Sequence, residues 1–110
     1  MSTRAHVIVT GDRNHYLYQH CDGYPEYLGN VLKNELSPDL DSQDKIVAKL
    51  SKILENENYG LHGDEEYVYV VHPETQSVIG YEVPFGVKEL DLINCKQVFW
   101  HKFNNYETIK

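Results

Sequence analysis

Hydrophobic residues recur at the spacing of one helix face near the middle of the chain. The positions concerned are Ile46, Val47, Leu50, Ile53 and Leu54. Intervals of three and four among charged residues are typical of an amphipathic helix whose apolar stripe is turned towards a core. Asp41 or Ser42 can cap the free amides of its first turn. The pattern therefore predicts a helix that begins at one of these two residues and ends near Glu57.

A second helical pattern starts at Pro25, whose fixed φ suits the first position of a helix. Its apolar positions are Leu28, Val31, Leu32 and Leu36. The pair Ser37-Pro38 should end it, because the residue before a proline disfavours the α region. Gly29 lies inside the helix, where a glycine costs roughly 1 kcal/mol relative to alanine. Its presence indicates that another element packs closely there.

Elsewhere the chain has short runs of β-branched residues at 6–10 and 77–83, and side chains that alternate between two faces at 16–21, 66–71 and 97–103. Both patterns are typical of strands. Turn formers at 11–14 separate the first two strands, and a short connection at 72–76 separates the next two. Each of these pairs is predicted to form a hairpin. The segment 87–96 is compatible with either a loop or a short helix. The predicted strands are 6–10, 16–21, 66–71, 77–83 and 97–103.

These elements follow one another in the order ββααβββ. Two amphipathic helices need a common apolar surface, and a sheet of about five strands can supply it. Because the strands are predicted to pair as hairpins, the sheet should be mainly antiparallel. We therefore expect residues 1–110 to form a single α+β domain with both helices on one face of the sheet.

Tyrosines are expected on the opposite sheet face. The chain has nine tyrosines and one tryptophan, and such rings favour recognition surfaces because they bury much area and keep a polar end. In one interpretation they form a protein interface, and in the other they only cover the sheet. The tyrosines expected to cover it are Tyr16, Tyr18, Tyr67, Tyr69 and Tyr81.

The charge of the chain argues against two classes of partner. Seventeen acidic residues against ten basic ones give a formal net charge of -7, which repels a phosphate backbone and predicts no nucleic-acid partner. No apolar stretch approaches a membrane span, so we predict no membrane partner and a cytoplasmic location. The two cysteines, Cys21 and Cys95, have no framework spacing and are expected to be buried thiols.

The segment 18–25 reads Tyr-Gln-His-Cys-Asp-Gly-Tyr-Pro and joins a strand end to a helix start. Free amides and the positive end of the helix dipole attract anions at such a corner. The candidate binding residues are Tyr18, His20, Asp22, Gly23 and Tyr24. In the alternative interpretation, Asp22 closes a turn on its own backbone and Gly23 takes up a φ that other residues disfavour. His20 and Tyr24 then only support the corner.

The same segment resembles the Y-x-H-x-D-G-Y-P signature of small proteins encoded by phages, prophages and other mobile elements. In those proteins the motif is followed directly by a helix that contains a glycine, and Gly29 matches that glycine here. The resemblance covers roughly residues 16–36, with a looser likeness in the strand 67–69. It implies a source and a fold, and it implies no reaction.

Other chemical signals are weaker. The chain has six histidines but no H-x-H or H-x-x-x-H pair, so no metal site and no cofactor are predicted. His20 and Cys21 are neighbours on a strand and should point to opposite faces, which argues against a catalytic dyad. The acidic run 64–66 is expected to be solvated surface. No catalytic residue is assigned.

Two functional hypotheses remain. The first is an accessory protein of a phage or mobile element that binds another protein or forms a homo-oligomer. On net charge alone, its acidic surface would suit a basic site on that partner. The second is a small ligand-binding protein or enzyme whose site lies at the corner of His20, Asp22 and Tyr24.

Overall fold

Six strands and two helical regions make up the part of the chain that the computed structural model describes, which is residues 3–56, 65–83 and 94–103. Most of the undecided segment 87–96, and the first residue of the acidic run 64–66, lie outside these residues. The strands are β1 (Ala5–Val9), β2 (His15–Gln19), β3 (Glu55–Asn56), β4 (Tyr67–His72), β5 (Ser77–Glu82) and β6 (Lys96–Lys102). The helical elements are a π-helical turn (Pro25–Gly29) that continues as α1 (Asn30–Glu35), and α2 (Gln43–Leu50).

The strands form one sheet in the order β3-β2-β1-β4-β5-β6. β1 and β4 are parallel, with His6 opposite Val68, and every other neighbouring pair is antiparallel. Both predicted hairpins are present. The predicted α+β fold with a mainly antiparallel sheet is confirmed, and the strand that the sequence did not predict is β3.

Both helical regions pack on one face of this sheet, as expected. The sheet supplies the buried residues Ala5, Val7, Val9, Leu17, Tyr69, Val71 and Val78 to the main core. The helical side supplies Leu28, Leu32, Leu36, Ile46 and Leu50. The five helical residues all come from the two predicted apolar stripes. Burial of each stripe against the sheet therefore accounts for the position of its helix.

The second helix is shorter than the sequence predicts. Ser42 caps it, because its hydroxyl accepts a hydrogen bond from the Lys45 amide at 3.3 Å. Regular α-helix ends at Leu50, and tight turns lead to a buried Leu54. Ile53, expected in the buried stripe, is 45% exposed. The chain leaves the helix here because the next two residues pair with the free edge of β2 as β3.

Gly29 fulfils the expectation of close packing. A Cβ at this position would lie 2.7 Å from Cε1 of Phe99, on β6. The missing side chain therefore lets the helical turn lie directly against the last strand.

The tyrosines divide between the two faces of the sheet. Tyr67 and Tyr69 face the helices, and Tyr69 is completely buried. The prediction that Tyr67 and Tyr69 cover the opposite face is wrong, because the register of β4 against β1 places Tyr69 beside Val7 in the main core. On the opposite face, Ile8 and Val68 are fully buried in a second, smaller cluster.

None of the helices in the described ranges has the length and apolarity that crossing a membrane requires.

Candidate functional site

The strand-to-helix corner is held by Gly23. Its amide donates to the carbonyl of Thr3 at 2.8 Å, and its carbonyl accepts from the buried hydroxyl of Tyr69 at 2.8 Å. A Cβ at Gly23 would lie 2.6 Å from the Cβ of Ala5. This residue thus joins the segment before β1, the start of the helix and β4 at one point.

The left-handed backbone conformation at this corner belongs to Asp22, with a φ of 61°. Gly23 lies outside that region, so the interpretation in which Gly23 supplies the unusual φ is wrong. Aspartate tolerates the left-handed region better than most residues. In the described part of the chain no hydrogen bond reaches the exposed Asp22 carboxylate, so the expected side-chain turn is not formed. Glycine is required next to it because of the close approach to Ala5.

Several backbone amides at the corner are already engaged. The amides of Tyr27 and Leu28 donate to the carbonyl of Tyr24 at 3.0 and 2.9 Å, and that of Gly23 is used as described. Pro25 has no amide hydrogen. The corner therefore offers an anion fewer donors than the sequence predicts, which supports the structural interpretation of the motif.

The other candidate residues separate into two groups. Tyr18 is buried, and its ring lies 5.0 Å from that of His6 and 6.1 Å from that of the exposed His20. Tyr24 is 37% exposed and its ring lies 6.5 Å from that of Tyr27. Among the residues described, no ring contact joins the two groups. The structure brings Tyr18 and His20 together and pairs Tyr24 with a residue outside the motif.

Beneath Tyr18 lies a buried pair that the sequence did not reveal. His6 Nδ1 is 3.8 Å from Glu65 Oε1, and both side chains are inaccessible to solvent. Glu65 belongs to the acidic run that was expected to be solvated, and this expectation is wrong for it. A buried pair of this kind is costly to desolvate and disruptive to break. It ties β1 to the residues before β4, and only the position of His6 in an apolar strand hinted at it.

The most exposed large hydrophobic side chain in the described residues is Trp100, at 59%. It lies on β6, at the outer edge of the sheet, opposite Ile79 of β5. Its neighbour His101 lies on the helix face of β6. Burial, and to a lesser degree the charge of Lys33, lowers the pKa of His101 below the usual value for histidine. β6 therefore has one face packed on the helices and one large ring open to solvent.

The remaining chemistry is sparse. Cys21 is a free thiol and is exposed where a buried thiol was expected, because the strand ends before it. Cys95 is half-buried in a cleft of about 280 Å³ that adjoins Lys96 at the start of β6. In the described ranges no group of three or more His, Cys, Asp or Glu side chains is arranged to hold a metal ion.

In the described part of the chain, the fold and these surfaces define an α+β protein with a mixed six-stranded sheet, helices on one sheet face, and an aromatic edge strand. No protein-family model matches the sequence, and neither a curated protein nor a solved structure matches it significantly.

Proposed function

We propose that this chain is a small accessory protein, of the kind that phages and other mobile elements encode, and that it acts by binding another protein. The observation that carries the proposal is Trp100, which is 59% exposed on the edge strand β6. Tryptophan is enriched among the residues that dominate binding energy at protein interfaces. The phage-type source rests on the resemblance of the 18–25 motif alone.

A second exposed aromatic group accompanies it. Tyr27 is 46% exposed and its ring lies near that of Tyr24 on the first helical turn. Isolated exposed apolar residues are common on soluble proteins. Trp100 lies opposite Ile79, on the sheet face away from the helices, whereas Tyr24 and Tyr27 lie on the helical side. The tyrosine pair is therefore a separate exposed aromatic group, and the proposal depends on Trp100.

The competing hypothesis places a ligand or a reaction at the corner of His20, Asp22 and Tyr24. It receives less support, because the Gly23 amide and carbonyl both serve the fold and His20 groups with Tyr18 instead of Tyr24. We therefore assign the motif a structural role and place the binding surface at β6.

The proposal is tested by site-specific photocrosslinking in the cells that produce the protein. Benzoylphenylalanine replaces Trp100 in one variant and Ile53 in a matched control, since Ile53 is a 45% exposed apolar residue beyond the end of α2. We expect an adduct of higher mass from position 100 and none from position 53, with the partner identified by mass spectrometry.

Two results would contradict the proposal. One is the absence of any adduct from position 100 in irradiated cells. The other is an equal yield of the same adducts from both positions, because that would indicate contact with abundant neighbours and no defined surface.

A further inference from the structure

β6 forms one edge of the sheet, and in the described part of the chain no strand lies on its outer side. The strand is seven residues long, whereas β3 at the opposite edge has only two. A long edge strand presents a row of backbone donors and acceptors that can pair with another chain. Natural proteins usually keep such edges short, so the length of this one needs an explanation.

The orientation of the outward backbone groups follows from one hydrogen bond. The Phe103 amide donates to the Gln76 carbonyl at 2.7 Å, so it points towards the β5 side. Inward and outward groups alternate along an antiparallel strand. The amides and carbonyls of Trp100 and Lys102 therefore face outward. Within the described ranges no strand pairs with these groups, and the exposed indole lies beside them.

The charge of this edge differs from that of the whole chain. Lys96 and Lys102 are both exposed at the two ends of β6, although the chain carries a net charge of -7. Lys96 lies opposite Glu82 of β5, whose carboxylate offsets part of its charge, whereas Lys102 lies opposite the uncharged Ser77. Because charges beyond about 8 Å are largely screened at physiological ionic strength, a bound segment would respond mainly to Lys102 and less to Lys96. Lys33 adds a further positive charge, close enough to affect His101.

We propose that the outer edge of β6 binds an extended segment of a partner protein by strand addition, and that this segment has an apolar centre flanked by acidic residues. The proposal rests on the proposed function and specifies its mode. Main-chain hydrogen bonds at Trp100 and Lys102 provide affinity, the indole covers the apolar centre, and the terminal lysines select the acidic flanks.

A second copy of this chain is a poorer occupant. An antiparallel pairing that uses the whole of β6 places Lys96 of each copy opposite Lys102 of the other, and like charges directly opposite are destabilising. Both copies would also carry a net charge of -7. Lysines on an edge are a known means of preventing self-association, and the same lysines attract an acidic strand.

The chain contains a single tryptophan, so its fluorescence reports on Trp100 alone. The purified protein is titrated with three synthetic peptides, and Trp100 is followed by emission and by acrylamide quenching. The first peptide alternates valine and threonine between pairs of glutamates. The second has lysines in place of the glutamates, and the third keeps the glutamates but has prolines in the central positions.

We expect the first peptide to protect Trp100 from quenching and the other two to bind at least about tenfold more weakly. Two variants then separate backbone from charge. Lys102→Pro removes an outward amide and should weaken the first peptide about tenfold, whereas Lys102→Ala keeps the amide and should weaken it less, with a smaller salt dependence. Circular dichroism checks that each variant is folded.

Three results would overturn the proposal: equal binding of all three peptides, no protection by any of them at millimolar concentration, or protection of Trp100 by raising the protein concentration alone. The last would identify a second copy as the occupant. If photocrosslinking at position 100 still captures a partner and Lys102→Pro leaves that yield unchanged, protein binding stands and strand addition fails. If no adduct forms, the proposed function fails as well.

Discussion

Replacement of Tyr69 by phenylalanine isolates the hydrogen bond that holds the corner. The Tyr69 hydroxyl is completely buried and donates to the Gly23 carbonyl at 2.8 Å. Burial raises the pKa of Tyr69 well above its usual value, so the hydroxyl remains a donor throughout the neutral range. Tyr69→Phe keeps the ring and leaves a buried carbonyl without this donor, which should lower the free energy of unfolding by about 1–3 kcal/mol.

Urea unfolding followed by far-ultraviolet circular dichroism measures this loss. A loss of about 2 kcal/mol with an m-value of about 1.5 kcal/mol/M lowers the urea midpoint by roughly 1.3 M. Tyr67→Phe is the matched control, because Tyr67 is half-buried on the same strand face and its hydroxyl has no hydrogen-bond partner in the described residues. It should change stability by less than about 0.5 kcal/mol. Equal effects of the two substitutions would refute the reasoning.

Three further predictions use the same unfolding assay. Gly23→Ala should destabilise by at least about 1–3 kcal/mol, because the new methyl group would lie 2.6 Å from the Cβ of Ala5 and force the backbone to move; a neutral result would contradict the close packing. Ser42→Ala should lower stability by about 1 kcal/mol through loss of the α2 cap, and no change would mean that the cap is dispensable. Since burial and the Lys33 charge lower the pKa of His101, the unfolded chain binds the proton first, and stability is lost as pH falls from about 6.5 through the folded pKa. His101→Gln should reduce the difference in stability between about pH 7.5 and pH 5.5, and an unchanged difference would contradict this assignment.

Hydrophobic periodicity predicted most of the fold, because the spacing of apolar residues within each element determines which of its faces is buried. The alternation along 66–71 predicted β4, and the two possible caps, Asp41 and Ser42, predicted the start of α2, where Ser42 is the cap that forms. The end of α2 was wrong because a long-range interaction determines it. The free edge of β2 pairs with Glu55–Asn56, and no local pattern in a charged helix reports that pairing.

The candidate site was predictable in residue types but not in contacts. Asp22-Gly23 correctly indicated a tight corner, because few residues other than glycine, asparagine and aspartate suit such turns. The sequence could not show that the positive φ belongs to Asp22, since both residues tolerate it. The partner of the Gly23 carbonyl, Tyr69, lies 46 positions further along the chain. Likewise, only the parallel pairing of β1 with β4 brings Glu65 to His6.

The corner and the edge strand differ in how many of their polar groups the fold already uses. At the corner, both backbone polar groups of Gly23 are engaged with Thr3 and Tyr69, so the motif stabilises the fold and has little left to offer a ligand. At β6, one face packs on the helices and Trp100 is exposed, and within the described residues no strand pairs with the outward backbone groups. Proteins that resemble this chain in the motif alone are therefore expected to share the corner. Under the proposed strand addition, the partners of such proteins are expected to differ with the sequence of their last strand, because that strand supplies both the side chains and the main-chain groups that bind.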